Sequence, residues 1–472
     1  MSEDTPTPND AMTFSADLAQ RVQDELGQNV FLCYQCAKCT SGCPLGEFFD
    51  WQPNQIMRAV QLGQEDIALA SQTPWLCAGC QTCTTRCPQN LDINGIMEFL
   101  TREALNQGYE PALPALGHFN QAFLREVRLW GRAYEPGLML ELALRDPRSL
   151  WSDREFFLKM LQKRKVALIP QRGRVPGRIK PVPGAADAIA YYPGCSLHSS
   201  ATEFDTSTRA VCAALDMRLI EPEGWVCCGS SAAHRADPAS ASSLPQTNLS
   251  LIEQSGFNEV VMPCAACFNR HKAVQFESRQ HPDPGAQAGA APGPGSPETL
   301  RVSSLAEAIV RHVGAEQLAA KVERPLTNLT VVSYYGCLLT RPPQVTGAQH
   351  PENPTELDVL LAALGADVVD WSYKTACCGG AHSLTRPDIV VKLSGDLVRH
   401  AQSVGAEAIA VSCPLCQMNL DARQFLMNVA EPLPILYFTQ LLALALSLPE
   451  EAAGWDKNLV DPKPLLREKG FL

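Results

Sequence analysis

The stretch Trp225-Val226-Cys227-Cys228-Gly229 returns 150 residues later as Thr375-Ala376-Cys377-Cys378-Gly379. Adjacent cysteines on a regular strand would point to opposite faces. To serve one site the backbone must turn, and the following Gly229, or Gly379-Gly380, permits it. Working outward, each pair has one cysteine before it and two after it. Cys195 and Cys337 end strand-like runs at 188–193 and 329–335. Cys264 with Cys267, and Cys413 with Cys416, form C-x-x-C after the short strand-like runs Glu259–Met262 and Ala408–Val411, each at the start of a helix. Equivalent cysteines lie 142, 150 and 149 residues apart. A nearly constant offset marks a duplicated unit. Helical patterns at 207–215 and 355–364, and helices ending near Gly256 and Gly405, alternate with the strands, so each copy reads as α/β.

Upstream lies a different pattern. Cys33-Tyr34-Gln35-Cys36-Ala37-Lys38-Cys39-Thr40-Ser41-Gly42-Cys43-Pro44 has the spacing C-x-x-C-x-x-C-x-x-x-C-P, repeated at Cys77, Cys80, Cys83, Cys87 and Pro88. This is the bacterial ferredoxin spacing. Three thiolates two residues apart wrap one face of an iron–sulfur cube, and the fourth ligates the other cube. Cys33, Cys36, Cys39 and Cys87 are thus expected to hold one cubane [4Fe-4S] cluster. Cys77, Cys80, Cys83 and Cys43 are expected to hold the second. A zinc ribbon is the alternative, but zinc sites place their ligands in pairs. The intervening 44–76 segment, with Pro53 at a helix start and Ile56, Met57 and Val60 on one face, makes this a helical variant. Ser15 is expected to cap a helix carrying Leu18, Val22 and Leu26. Asp92 caps another carrying Ile96, Met97 and Leu100, stopping near Gly108. Phe119, Phe123, Val127 and Trp130 mark a further helix.

The whole chain has 472 residues, with 39 Lys and Arg against 50 Asp and Glu, a net charge of −11. That balance argues against nucleic acid as a partner, since phosphates want clustered positive charge. The acidic, polar start has no apolar signal segment. The longest apolar run, 433–448, is interrupted by Thr439, Gln440 and Ser447 and is too short to span a bilayer. The expected location is therefore cytoplasmic, at most peripheral at the inner membrane through a partner. In a reducing compartment the 19 cysteines read as metal ligands rather than disulfides. A basic stretch, Lys163, Arg164, Lys165, Arg172, Arg174, Arg178 and Lys180, reads as a solvated connector or as a handle for an acidic partner. A second connector, 281–298, is rich in Pro, Ala and Gly. The expected organisation is 1–165, a linker at 166–187, 188–280, the 281–298 linker, and 299–472.

Two resemblances add to this. The N-terminal wording, including Met57-Arg58, Leu62-Gly63, Trp75-Leu76-Cys77 and Asp92-Ile93, resembles the C-type subunit of heterodisulfide reductase over roughly residues 15–108. Tyr191-Tyr192-Pro193-Gly194-Cys195-Ser196, Trp225-Val226-Cys227-Cys228-Gly229, Tyr334-Tyr335-Gly336-Cys337, Cys413-Pro414-Leu415-Cys416-Gln417-Met418-Asn419-Leu420-Asp421 and Phe438-Thr439-Gln440-Leu441 resemble the B-type subunit over about 186–448. The implied fold is mixed α and α/β: an N-terminal α-helical ferredoxin domain, then two duplicated α/β cysteine-rich CCG domains. The resemblance implies a non-cubane [4Fe-4S] centre on Cys195, Cys227, Cys228, Cys264 and Cys267. It implies a second on Cys337, Cys377, Cys378, Cys413 and Cys416. These ten are the expected catalytic cysteines. The fusion in one chain and the 281–298 insertion depart from the family.

No glycine-rich dinucleotide fingerprint follows a strand, so a chain with four such centres is expected to move single electrons. The resemblance implies an oxidoreductase acting on a sulfur group, within a complex. Electrons would pass from a flavin-containing partner through the cubane pair to the non-cubane centres, which reduce or form a disulfide. The alternative is an electron-transfer subunit of a quinone-linked dehydrogenase, of the glycolate oxidase or unconventional succinate/fumarate reductase type. Cys212 is expected in the core. His198, His234 and His382 are either solvent-side or supporting groups, or proton donors to a reduced thiolate.

Overall fold

The structure, a computed structural model, describes residues 17–145, 154–280 and 300–472. Contacts divide the chain into two units. The first runs to Cys77 and resumes at 82–114; the second holds 78–81 and 115–472.

The first unit is helical. Its main helices are α1 (Asp17–Leu26), α2 (Pro53–Gln61) and α3 (Ile93–Asn106). Leu18, Val22, Ile56, Met57, Val60, Ile96, Met97 and Leu100 form one apolar core. This is the helical periodicity of the sequence turned inward. Pro53 occupies the first turn of α2. Asp92 caps α3, its Oδ1 accepting from the Gly95 N–H at 3.0 Å. The expected Ser15 cap and the 281–298 connector lie outside the described residues.

Three further helices, α4 (Pro114–Trp130), α5 (Glu135–Arg145) and α6 (Arg154–Gln162), precede the strands. From residue 115 onward they belong to the second unit, not to a first block ending at 165. Packing explains this. Leu124 of α4 is buried with Ala232, Ala233 and Ala241. Phe156 and Met160 of α6 are buried with Met418 and Ala422.

Two four-stranded parallel sheets follow. The first has β1 (Ile189–Tyr191), β2 (Leu219–Ile220), β3 (Glu259–Met262) and β4 (Arg301–Ser304), in the order β2-β1-β3-β4. The second has β5 (Thr330–Tyr334), β6 (Asp367–Val368), β7 (Ala408–Val411) and β8 (Ile435–Tyr437), in the order β6-β5-β7-β8. Ala190 pairs with Val260, and Val331 with Ala408, so the central pairs match across the duplication. The helices are α7 (Thr202–Ala214), α8 (Pro238–Gln254) and α9 (Ala265–Gln280) in the first repeat. In the second they are α10 (Glu356–Ala363), α11 (Pro387–Ser403), α12 (Pro414–Ala422) and α13 (Phe438–Ala445).

One expected boundary moves. β4 lies beyond 299 yet pairs with β3 over four residues, Glu259 opposite Arg301 through Met262 opposite Ser304. A strand edge left unpaired in the interior would strand its amides, so the first sheet recruits its last strand from across the connector.

The repeats share one core. Phe204 on α7 stacks on Tyr437 at 4.2 Å between ring centroids. Ser207 Oγ lies 2.6 Å from Thr439 Oγ1. Asn269 Nδ2 donates to the carbonyls of Leu338 and Arg341, at 3.0 and 2.8 Å. Lys165 and Glu203 form an ion pair, both fully buried.

Candidate metal centres

The two ferredoxin-type runs have the same backbone. Gln35 and Ala37 lie at φ 62° and 59°, and their counterparts Gly79 and Gln81 at 65° and 60°. Three of the four carry side chains in a left-handed region that L-residues avoid. Alternating left-handed residues curl the chain tightly between successive cysteines. A one-turn helix in the first unit carries the third cysteine of each run, Lys38–Ser41 and Thr82–Arg86. They approach closely: a Cβ at Gly42 would lie 2.6 Å from Arg86 Nη1. Desolvation and then the charges of Cys36, Cys87 and Cys33 raise the Tyr34 phenol. The fourth cysteine of the second run thus sits near the first run. Burial pushes the Cys39 thiol up.

In each α/β repeat the cysteines leave the carboxyl ends of the central strands. Cys195 follows β1 and Cys264 follows β3; Cys337 follows β5 and Cys413 follows β7. In both sheets the strand order reverses between those two strands, the crevice where parallel sheets bind ligands. Gly229 and Gly379 both stand at φ 79° and turn the chain after the cysteine pair. Cys228 Sγ lies 3.5 Å from Cys267 Sγ, and Cys378 Sγ 3.6 Å from Cys416 Sγ. Gly194 and Gly336 precede the first cysteine of each set, at φ 75° and 72°. A Cβ there would lie 2.9 Å from Cys267 Sγ or Cys416 Sγ, respectively. Sequence reasoning quoted these glycines within the motifs before Cys195 and Cys337 but gave them no role of their own.

The two sets meet. The Cys264 thiol is near enough to push Cys413 down, and Cys413 in turn is among the groups that push Cys264 up. Hydrogen bonds from Cys227 and Cys267 push Cys228 down, and one from Cys416 pushes Cys378 down. All ten cysteines line one cavity of about 290 Å³. Its outer wall is Phe119, Phe123, Leu138, Phe156, Phe157 and Met160, from α4, α5 and α6. Arg270 and Glu135 are the charged side chains among the described lining residues. Glu135 accepts from the hydroxyls of Ser199 and Ser200 at 3.1 and 2.9 Å, and burial raises its carboxyl. None of the four helix-borne aromatics, nor Arg270 or Glu135, was marked as a site residue by sequence alone.

The donors suit iron–sulfur cages. A zinc ion needs four ligands about 2 Å from one centre. Thiolates spread around a cavity instead suit a cage in which each binds its own iron.

The remaining residues are placed as follows. Cys212 is buried on α7 within the core, and burial pushes its thiol up to about 12. His198 Nδ1 lies 2.8 Å from Gln171 Oε1 and its Nε2 3.3 Å from Glu221 Oε1. His234 sits on the short helix Ser230–Ala236, and His382 is fully buried in the turn after Gly379. No described helix is long and apolar enough to cross a membrane.

Comparison with known proteins agrees with this geometry. Residues 32–92 match the 4Fe-4S dicluster domain, and residues 189–270 and 331–421 each match the cysteine-rich domain CCG. The 8-methylmenaquinol:fumarate reductase membrane anchor subunit of Wolinella succinogenes is 32% identical over 282 residues, 59% of this chain and 98% of that protein. The B-type subunit of the ferredoxin/F(420)H(2)-dependent CoB-CoM heterodisulfide reductase of Methanosarcina acetivorans is 24% identical over 58% of this chain and 93% of its own length. The C-type subunit of the H(2):CoB-CoM heterodisulfide,ferredoxin reductase of Methanothermobacter marburgensis is 30% identical over 104 residues, 22% of this chain and 56% of that protein. The chain therefore belongs to the family of cysteine-rich iron–sulfur proteins that includes the B-type and C-type components of heterodisulfide reductase, and it joins a C-like part and a B-like part in one polypeptide.

Proposed function

We propose that this chain is the electron-transferring and substrate-reducing subunit of a heterodisulfide reductase-like complex. Cys33, Cys36, Cys39 and Cys87, and Cys77, Cys80, Cys83 and Cys43, hold two cubane clusters fed by a flavin-containing partner. Each five-cysteine set holds a non-cubane four-iron centre. The observation that carries this reading is the single cavity lined by all ten cysteines of the two repeats. Disulfide reduction needs two electrons, and the clusters supply one-electron chemistry. Two centres around one cavity could serve the two sulfurs of one S–S bond. The chain's own residues orient the thiolates through Gly229 and Gly379. The α4 to α6 wall excludes water, and Glu135 faces the cavity while accepting from Ser199 and Ser200.

The test is anaerobic. Purified protein should contain about 16 iron per chain, four centres of four. Reductant-driven turnover should occur with disulfides and be lost in Cys228→Ala and Cys378→Ala, with the cubane signals intact. Inertness toward disulfides with brisk quinone reduction would overturn this reading in favour of a second, a quinone-linked dehydrogenase subunit. That second reading is favoured by the likeness to the Wolinella succinogenes protein and by the apolar cavity wall.

A further inference from the structure

We infer that the two cysteine-rich centres are unequal, and that Arg270 makes the first-repeat centre the more easily reduced of the pair. The inference rests on the proposal that each five-cysteine set holds its own centre. Its basis is a break in the duplication. Arg270 stands three residues after Cys267 on α9; the equivalent position on α12, three after Cys416, is Asn419. One turn along the same helix face, one repeat has a cation and the other a neutral amide.

Arg270 is 4% exposed and lines the cysteine cavity. Its Nε has no hydrogen-bond partner, and the side chain makes no ion pair among the described residues. A buried guanidinium with no ion-paired carboxylate is costly unless something anionic faces it. Asn419, by contrast, is satisfied: its Nδ2 donates to Cys378 Sγ at 3.5 Å and its Oδ1 accepts from Ser383 Oγ at 2.8 Å. Among the buried cations of the second repeat, Arg423 donates to the Ser383 carbonyl and stacks on Phe156. Arg341 pairs with Glu352, Lys374 with Asp358 and Asp370. A second cation, Arg132, lies near Cys195 of the first set, its guanidinium stacked 3.6 Å over the Trp225 ring. Glu135, the cavity's carboxyl group, is held by Ser199 and Ser200 rather than by Arg270.

Adding an electron makes a thiolate-ligated centre more negative. A fixed positive charge in a low-dielectric wall favours that form, which raises the reduction potential. The electron therefore settles first on the centre of Cys195, Cys227, Cys228, Cys264 and Cys267. The centre of the second repeat is reduced next.

The experiment is a spectroscopically monitored redox titration of the full, iron-loaded chain. In the parent protein the two cysteine-rich centres should show two distinct midpoints. Arg270→Gln should lower the higher one by at least a tenfold change in its one-electron equilibrium, about 59 mV, and leave the other in place. Arg270→Lys, which keeps the charge, should leave both. Asn419→Arg should raise the lower midpoint. Unchanged midpoints in Arg270→Gln would overturn the inference, whatever happens to turnover. If Arg270→Gln fails to assemble its centre, Asn419→Arg decides: a raised midpoint supports the inference, and an unmoved one overturns it. A parent chain short of four centres by iron count would instead defeat the proposed function.

Discussion

Replacing Gly194 with alanine should remove one centre and spare the rest. Two costs act there. The first is backbone: φ is 75°, and an L-residue in the left-handed region costs about 1–2 kcal/mol. The second is steric. The new Cβ would lie 2.9 Å from Cys267 Sγ, against an ordinary contact of about 3.5–4.0 Å. The sulfur must therefore give way by about 0.6 Å or more. It has little room, because Cys228 Sγ lies 3.5 Å from it. Gly347 separates the two costs: its φ is 82°, and nothing lies within 4 Å of its added Cβ. Gly347→Ala should lose about 1 kcal/mol of stability and no iron. Gly194→Ala, and Gly336→Ala in the second repeat, should each lose about four of roughly 16 iron. The assay is iron and sulfide content after anaerobic purification, with thermal unfolding alongside. Full iron in Gly194→Ala, with a stability loss no larger than that of Gly347→Ala, would refute the cradle reasoning.

Other outcomes follow from single contacts. Asn269→Ala should cost about 2–3 kcal/mol in chemical unfolding, because two buried carbonyls, of Leu338 and Arg341, lose their donor. Phe156→Ala should cost about 3 kcal/mol, since the ring is buried against Met418 and lies 4.5 Å from the Arg423 guanidinium. Asp421 is fully enclosed, and burial raises its carboxyl to about 6, even though it accepts from the amides of Leu459 and Val460. Because the folded-state value lies above the usual one, its contribution is complete at low pH and is lost as pH rises through about 6. The parent should therefore lose about 3 kcal/mol of stability between roughly pH 4 and 6. Asp421→Asn should flatten that slope in unfolding measured across the range.

The repeat architecture was legible because its signals are local. Strands β3 and β7 fall on 259–262 and 408–411 as patterned, and the glycine after each cysteine pair does take φ 79°. Asp92 and Pro53 likewise act within one helical turn. The boundaries of the blocks were less legible. The apolar stripes of α4 and α6 show that these helices need cover, but not whose. β4 shows a strand run, but not that its partner is β3.

Cysteine spacing alone singled out the candidate ligands and showed that the α/β unit is duplicated, since ligand spacing and turns are set by neighbours a few residues apart. Tertiary structure decided what those ligands face. Cys264 meets Cys413 across 149 residues of chain, ten thiols share one cavity, and three helices from outside both repeats wall it. It also decided that Arg270 is buried with no ion pair among the described residues. Such facts depend on which surfaces meet when apolar faces are buried together, and burial couples residues with no regard to their separation along the chain.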